Sequence, residues 1–336
     1  MAGKNTRRTG ARSWGGRLLT LLAALVAALA VWLSQGEAQP FEVHFIDVGQ
    51  ADCALVVSDG KTMLIDGGNP GDGPRIVEYL QAQGVEKLDV LVASHPHADH
   101  IGGLPYVVEH MPVTRAWLSP YVHTSATYES LLDGLDARGV AVSVPTAGET
   151  FALGGAQCQF AADGRGFDDA NNASLILRVE YQAVSVMFTG DAEAPAEARA
   201  LENGFPLAST VLKVGHHGSD TSTSDAFLAA VQPEIAVISV GEGNSYGHPA
   251  AETLKKLTCQ VYRTDEMGTV VLASDGLTFG PKGEGAGLGL YIGNTQSGKF
   301  HRLGCQYLPS FENMDFFLRR TDAVQAGYAA CGVCKP

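Results

Sequence analysis

The sequence predicts an α+β fold in which two β-sheets pack face to face with helices on their outer sides, followed by a small C-terminal unit. Three observations predict it. The 336 residues are 45% hydrophobic, enough for a large core in one big domain or two smaller ones. Forty glycines mark many tight turns, as in a sheet-rich layered fold rather than a helical bundle. Short apolar runs with strand spacing come in two sets, each interleaved with segments of helical spacing.

From Phe41 the pattern is strand-like through Val43, Phe45, Ile46 and Val48, then again over 54–57 and 62–65. The short connections Gly49-Gln50 and Ser58-Asp59-Gly60 make these consecutive antiparallel strands, the third closed by Asp66-Gly67-Gly68. Residues 73–84 carry helical spacing in Ile76, Val77 and Leu80 and end on a glycine suited to the position after a helix. The run 88–93 reads as a buried strand, and Ile101-Gly102-Gly103-Leu104 opens another helix. In the second half, 174–179 and 183–188 form a hairpin ending at Thr189-Gly190-Asp191, followed by a helix over 192–203. A strand at 210–214, the loop Gly215-His216-His217-Gly218-Ser219, a helix around 224–231 and a strand at 235–240 complete the set. The boundaries are a terminal segment 1–38, a body 39–281, a glycine-rich linker 282–290 and a unit 291–336.

The formal net charge is −13, but five of the basic side chains and no acidic one lie in residues 1–17, so the remainder carries −18. A body that acidic does not attract polyanions through its general field. After the basic stretch, 18–33 is almost wholly apolar (LLTLLAALVAALAVWL). This reads as an export signal or a signal anchor, with cleavage near Gly36-Glu37-Ala38 and retention in the membrane both open. Positive charge before the segment places the body outside the cytoplasm.

The chemistry centres on Ser94-His95-Pro96-His97-Ala98-Asp99-His100, directly after the buried strand. Three imidazoles and a carboxylate within six residues suit zinc, manganese or iron, and exceed what one ion takes from one loop. Further candidate ligands recur at strand ends: Asp66, Asp191, and His216 or His217. Gathered on one rim, these groups can hold two ions roughly 3.5–4 Å apart, which generate hydroxide and clamp the attacking and leaving oxygens of an ester. Cys53, Cys158 and Cys259 are scattered and read as small core residues.

Asp66-Gly67-Gly68, His95-x-His97-x-Asp99-His100, Thr189-Gly190-Asp191 and the later histidine pair resemble, in order, the metallo-β-lactamase fold superfamily. Phe45-Ile46-Asp47-Val48-Gly49-Gln50, Leu212-Lys213-Val214-Gly215-His216-His217-Gly218-Ser219 and Asn244-Ser245-Tyr246-Gly247-His248-Pro249 are similar to its ComEC-type branch, the hydrolase domain attached to competence DNA-uptake channels. The resemblance covers about 41–281 and implies a four-layer αββα sandwich. It implies that His95 and His97 hold one ion, that Asp99 and His100 hold the second, and that Asp191 bridges. One histidine of the pair completes the second site, with His216 the expected ligand because it is nearer the strand end, and Asp66 orients the histidines or bound water. Many superfamily members have a further metal histidine before the bridging Asp. Here His110 and His123 lack a strand-end context, and Asn171-Asn172-Ala173-Ser174 takes that place, so Asn172 is the candidate to complete the first site. Manganese rivals zinc as the metal. His248 either binds or protonates a leaving phosphate or is a structural histidine; Lys213 and Ser219 are candidate phosphate contacts.

In the C-terminal unit, His301-x3-Cys305 and Cys331-x2-Cys334 have the count and spacing of a closed structural zinc site. The segment resembles the metal-binding module of the Ada DNA-repair protein, with His301 in place of its first cysteine; a disulfide within an exported tail is the alternative. With five basic and three acidic side chains, this unit offsets the acidity of the body. The combined expectation is an exported or membrane-anchored phosphodiesterase acting on DNA. Hydrolysis of a small ester, lactone or cyclic nucleotide is the second reading, and a non-catalytic DNA-binding or envelope protein the third.

Overall fold

A computed structural model describes residues 41–282, 291–302, 305–317, 323 and 326–331. The apolar segment 18–33 and Cys334 lie outside them. Among the described residues no helix is long and apolar enough to cross a membrane. The chain falls into two compact units, one spanning 39–287 and the other containing 288–336.

The larger unit opens with β1 (Phe41–Phe45), β2 (Ala54–Ser58) and β3 (Lys61–Ile65), which pair antiparallel in sequence order as the short connections require. Helix α1 (Gly73–Ala82) buries Ile76, Val77 and Leu80, and Gly84 follows it at φ +75°, the left-handed position that commonly ends a helix. Then come β4 (Leu88–Ala93), α2 (Ala98–Ile101), α3 (Leu104–His110), β5 (Val113–Leu118), α4 (Ala126–Ala137) and β6 (Ala141–Ser143). From β3 to β6 the pairings are parallel, each crossing over through the helical layer. Strands β14 (Val270–Ser274) and β15 (Phe279–Pro281) return to pair beside β1, giving the eight-stranded order β15-β14-β1-β2-β3-β4-β5-β6.

The second sheet holds seven strands. β7 (Thr150–Leu153), β8 (Ala156–Ala162), β9 (Ile176–Tyr181) and β10 (Val184–Phe188) form an antiparallel meander. β10, β11 (Val211–Lys213), β12 (Ile235–Ile238) and β13 (Gln260–Arg263) then run parallel. Helices α5 (Ala194–Asn203), α6 (Asp225–Val231) and α7 (Ala251–Lys256) connect them.

Strand alternation sorts the apolar side chains into three layers. Phe45, Val56, Met63, Val92 and Trp117 of the first sheet meet Phe160, Leu177, Val186 and Val237 of the second. Leu64 and Leu91 pack outward on Ile76, Leu104 and Leu131, and Leu212 and Ile238 pack outward on Ala200 and Phe227. The arrangement is therefore αββα, and each fully buried Phe or Leu contributes roughly 1.5–3 kcal/mol.

One local expectation changes. The helix expected to open at Ile101 is two short ones, and the metal-loop residues Asp99 and His100 lie inside the first. Gly102 and Gly103 divide them because a side chain there has no room: a Cβ on Gly102 would lie 2.1 Å from Pro70 N, and one on Gly103 2.5 Å from Gly67 O. Backbone bonds from Gly102 N to Gly68 O and Gly103 N to Gly67 O, both 2.9 Å, close this contact.

Among its described residues the smaller unit forms a four-stranded sheet in the order Met314–Phe317, Tyr291–Asn294, Lys299–Arg302 and Ala329–Ala330. Tyr291, Phe300 and Ala323 form its apolar centre.

Candidate metal centre

Because β3, β4, β10 and β11 belong to parallel runs, their C-terminal ends reach one rim, where ligand sites of open α/β sheets form. Asp66 follows β3 in a left-handed conformation (φ +59°), unusual for a residue other than glycine. Its carboxylate accepts from Ser94 N at 2.7 Å, Ser94 Oγ at 2.7 Å and His100 Nδ1 at 2.9 Å. Burial pushes the Asp66 pKa upward, against the opposing pull of His100. With Nδ1 committed to Asp66, His100 presents Nε2 to Asp191 Oδ1 at 3.1 Å.

Two donor groups share Asp191. His95 and His97 form one with it, and Asp99, His100 and His217 form the other, the donor atoms within 4.8 Å of one another. Asp191 Oδ2 lies 3.8 Å from His95 Nε2, while Oδ1 faces His100 at 3.1 Å and His217 Nε2 at 3.8 Å. His217 Nε2 is also 3.4 Å from Asp99 Oδ2. Among the described residues, His100 Nε2, Asp191 Oδ1 and His217 Nε2 are buried without a hydrogen-bond partner. Leaving one such atom unsatisfied costs about 1–3 kcal/mol, so three converging on one point fit a cation. Imidazole nitrogen and carboxylate oxygen suit zinc or manganese.

The carboxylates of this cluster also favour charge on its imidazoles. Burial opposes charge on His217, yet Asp191 and Asp52 outweigh it and push the imidazole up to about 10. His100 is raised in the same way by Asp191 and Asp66, and Asp191 is held well below the usual carboxylate range by His100 and His217 despite its burial. His95 moves down, through burial first and then the neighbouring His100.

His217, rather than His216, joins the four-group cluster. Both residues adopt left-handed backbone (φ 53° and 49°) in a 3₁₀ turn, which turns one ring inward and the other outward. His217 is buried, its Nδ1 3.0 Å from Ser239 O. His216 is partly exposed, with Nδ1 3.3 Å from Glu193 Oε1 and Nε2 3.8 Å from Asp191 Oδ2. Asn172 does not complete the first group: its Nδ2 donates to Asp169 at 3.1 Å and its Oδ1 accepts from Ala196 N at 3.1 Å, at the start of α5. Nor is Lys213 open to a phosphate, since it is buried with Nζ 2.7 Å from Asp52 Oδ2. Ser219 is buried too, its Oγ 3.0 Å from Thr221 Oγ1. His248 is half-buried, with its ring 5.7 Å from that of His216. Burial, then His216, lowers its pKa.

Several residues of this rim carry little signal in the sequence. Asp52, in the β1–β2 connection, is buried against Lys213 and His217, and its one mark is a carboxylate just before an apolar strand. Glu193 holds His216. His123, which lacks a strand-end context, lies in the loop after β5 with its ring 6.3 Å from that of His97 and nearly perpendicular to it. His110 instead stacks on Tyr106, 3.7 Å between ring centroids.

In the smaller unit, His301, Cys305 and Cys331 form a buried group, with His301 Nδ1 3.3 Å from Cys305 Sγ. Among the described residues, His301 Nε2 is buried without a hydrogen-bond partner. This donor set fits a zinc ion.

The chain is similar to known proteins. The pattern of the metallo-beta-lactamase superfamily matches residues 46–242, and that of the metal binding domain of Ada matches 286–336. ComE operon protein 3 of Bacillus subtilis (strain 168) is 31% identical over 252 residues, 68% of this chain and 32% of that protein. Competence protein ComA of Neisseria gonorrhoeae is 31% identical over 271 residues, 79% of this chain and 36% of that protein. The chain thus spans about a third of the length of these relatives. The metallo-beta-lactamase fold protein YhfI from Bacillus subtilis superposes with a TM-score of 0.49 at 11% identity, over 69% of this chain and 99% of that one. The chain belongs to the metallo-beta-lactamase superfamily, its body a metallo-hydrolase domain followed by a segment that matches the metal binding domain of Ada.

Proposed function

We propose that this chain is an exported, metal-dependent phosphodiesterase that cuts DNA, with two divalent ions, zinc or manganese, in its hydrolase site. The observation that carries this reading is Asp191 standing between two donor groups, Oδ2 toward His95 and Oδ1 toward His100 and His217. His95 and His97 would hold the first ion, Asp99, His100 and His217 the second, with Asp191 shared between the two groups. When bound, the ions supply a nucleophile at neutral pH and neutralise charge on the attacking and leaving oxygens of a phosphodiester. The chain's own groups do the rest. Asp66 and Ser94 lock the His100 ring, Glu193 anchors His216, and His248 beside it binds or protonates the leaving phosphate. DNA as the polymer is supported by the competence name of ComA. Export, by cleavage or anchoring, rests on the basic-then-apolar segment ending at residue 33. A structural zinc would be held in the tail by His301, Cys305 and Cys331, with Cys334 as the fourth ligand that the sequence spacing suggests.

The test is residues 39–336 incubated with single- and double-stranded DNA and manganese or zinc. Cleavage is expected to vanish when His97 and Asp191 are both alanine; cleavage that survives sinks the assignment. The acidity of the body beyond residue 17, −18, favours a second reading in which the substrate is a small ester, lactone or cyclic nucleotide. Faster turnover of such substrates than of DNA decides for it.

A further inference from the structure

A buried lysine needs a counter-charge, and the one that Lys213 finds lies in the other sheet. Lys213 ends β11 and is 3% exposed; Asp52 sits between β1 and β2 and is 5% exposed. Lys213 Nζ is 2.7 Å from Asp52 Oδ2 and donates to Val214 O at 2.9 Å. The remaining carboxylate oxygen of Asp52 faces His217 Nδ1 at 3.2 Å, on the same nitrogen that meets Ser239 O at 3.0 Å. Ser239 O can only accept, so Nδ1 carries a proton, and Nε2 is the nitrogen turned toward Asp99 and Asp191. The Asp52 backbone is tied to the same rim: its N–H donates to Asp99 O at 3.1 Å, and its carbonyl accepts from Gly68 N at 2.8 Å.

This matters for one ion more than for the other. The second donor group draws two residues from each sheet, Asp99 and His100 against Asp191 and His217, so its spacing depends on how the two rims are held together. The first group takes His95 and His97 from a single loop and reaches the other sheet through Asp191 alone. Asp52 is placed between the two rims, with Oδ2 2.7 Å from Lys213 Nζ and Oδ1 3.2 Å from His217 Nδ1.

We propose that Lys213 and Asp52 are positioning residues for the second ion: a buried cross-sheet ion pair that holds His217 in its coordinating tautomer and at its coordinating distance. The proposal rests on the two-ion reading above. It also explains why a lysine beside the histidine pair is buried when a phosphate contact would need it exposed.

The experiment is manganese titration by calorimetry on the full chain, comparing wild type, the double variant Asp52→Leu/Lys213→Met, and Asp52→Asn. Replacing a buried ion pair by apolar groups of similar volume is often neutral or stabilising, so the double variant separates folding from metal binding. Its thermal unfolding is expected to match wild type and its first ion to bind normally, while the second weakens about 10–100-fold. Asp52→Asn, which keeps the shape, is expected to weaken the second ion about tenfold, and it decides the question if the double variant does not fold. A second ion held as in wild type, or equal losses at both ions, overturns the proposal. Wild-type protein that takes up no manganese overturns the two-ion reading itself, which is a distinct result.

Discussion

Asp66 Oδ2 accepts from His100 Nδ1 at 2.9 Å, and the opposite edge of that imidazole meets Asp191 Oδ1 at 3.1 Å. The ring is thus fixed from behind by a carboxylate that stands outside the two groups sharing Asp191. Replacing Asp66 by alanine frees the ring and its tautomer while leaving every proposed ligand in place. Metal affinity is expected to fall about 10–100-fold, as for loss of an outer partner of a ligating histidine. Metal content after dialysis measures this; full retention would reduce Asp66 to a turn residue.

The pH response follows from the raised imidazoles. His217 rises from 6.5 to about 10 on folding, so its ion pairs stabilise the metal-free protein fully below about 6.5. That contribution disappears as pH climbs toward 10. Asp52 moves oppositely: burial is outweighed by Lys213 and His217, which hold it at about 2 against 3.8, so its contribution is lost as pH falls through that window. The melting temperature of the metal-free protein is expected to drop between about pH 7 and 10. Manganese affinity is expected to rise over the same interval, because coordination needs the neutral imidazole. A melting temperature that rises with pH would contradict the charge pairing.

His248 tests the proton-transfer step apart from metal binding. His248→Ala is expected to lower kcat on DNA by roughly 100-fold or more, with metal content unchanged. A nitrophenyl phosphodiester, whose leaving group needs no proton, is expected to lose far less. Equal losses on both substrates would assign His248 a structural role.

The C-terminal cysteines make a separate prediction. Cys305→Ser and Cys331→Ser in the full chain are each expected to lower zinc content by about one ion per chain, leaving manganese uptake by the body untouched. Zinc content unchanged in both would remove the tail site.

Much of the site was legible because its signals are local. His95, His97, Asp99 and His100 fall within six residues after an apolar run, and Asp66 and Asp191 each follow a strand. Parallel strands then bring those ends to one rim. The antiparallel opening strands were readable from their two short turns. The short strands between His110 and Phe160 were not, since Ala141–Ser143 is exposed throughout and Thr150–Leu153 is half exposed, too brief for a clear period.

What the sequence carried by itself is the candidate ligand set and the two-sheet layering, because each is written in adjacent residues. Tertiary structure decided which neighbour does what. His216 and His217 are adjacent and identical in type, and only two left-handed backbone angles send His217 inward and His216 to Glu193. Lys213 reads as a free cation until Asp52, from a far earlier stretch of the chain, is found against it from the opposite sheet. Asn172 reads as a spare ligand until α5 claims its oxygen. In each case the deciding partner comes from a distant segment, and burial forces each polar group to bond whatever partner the packing brings within reach.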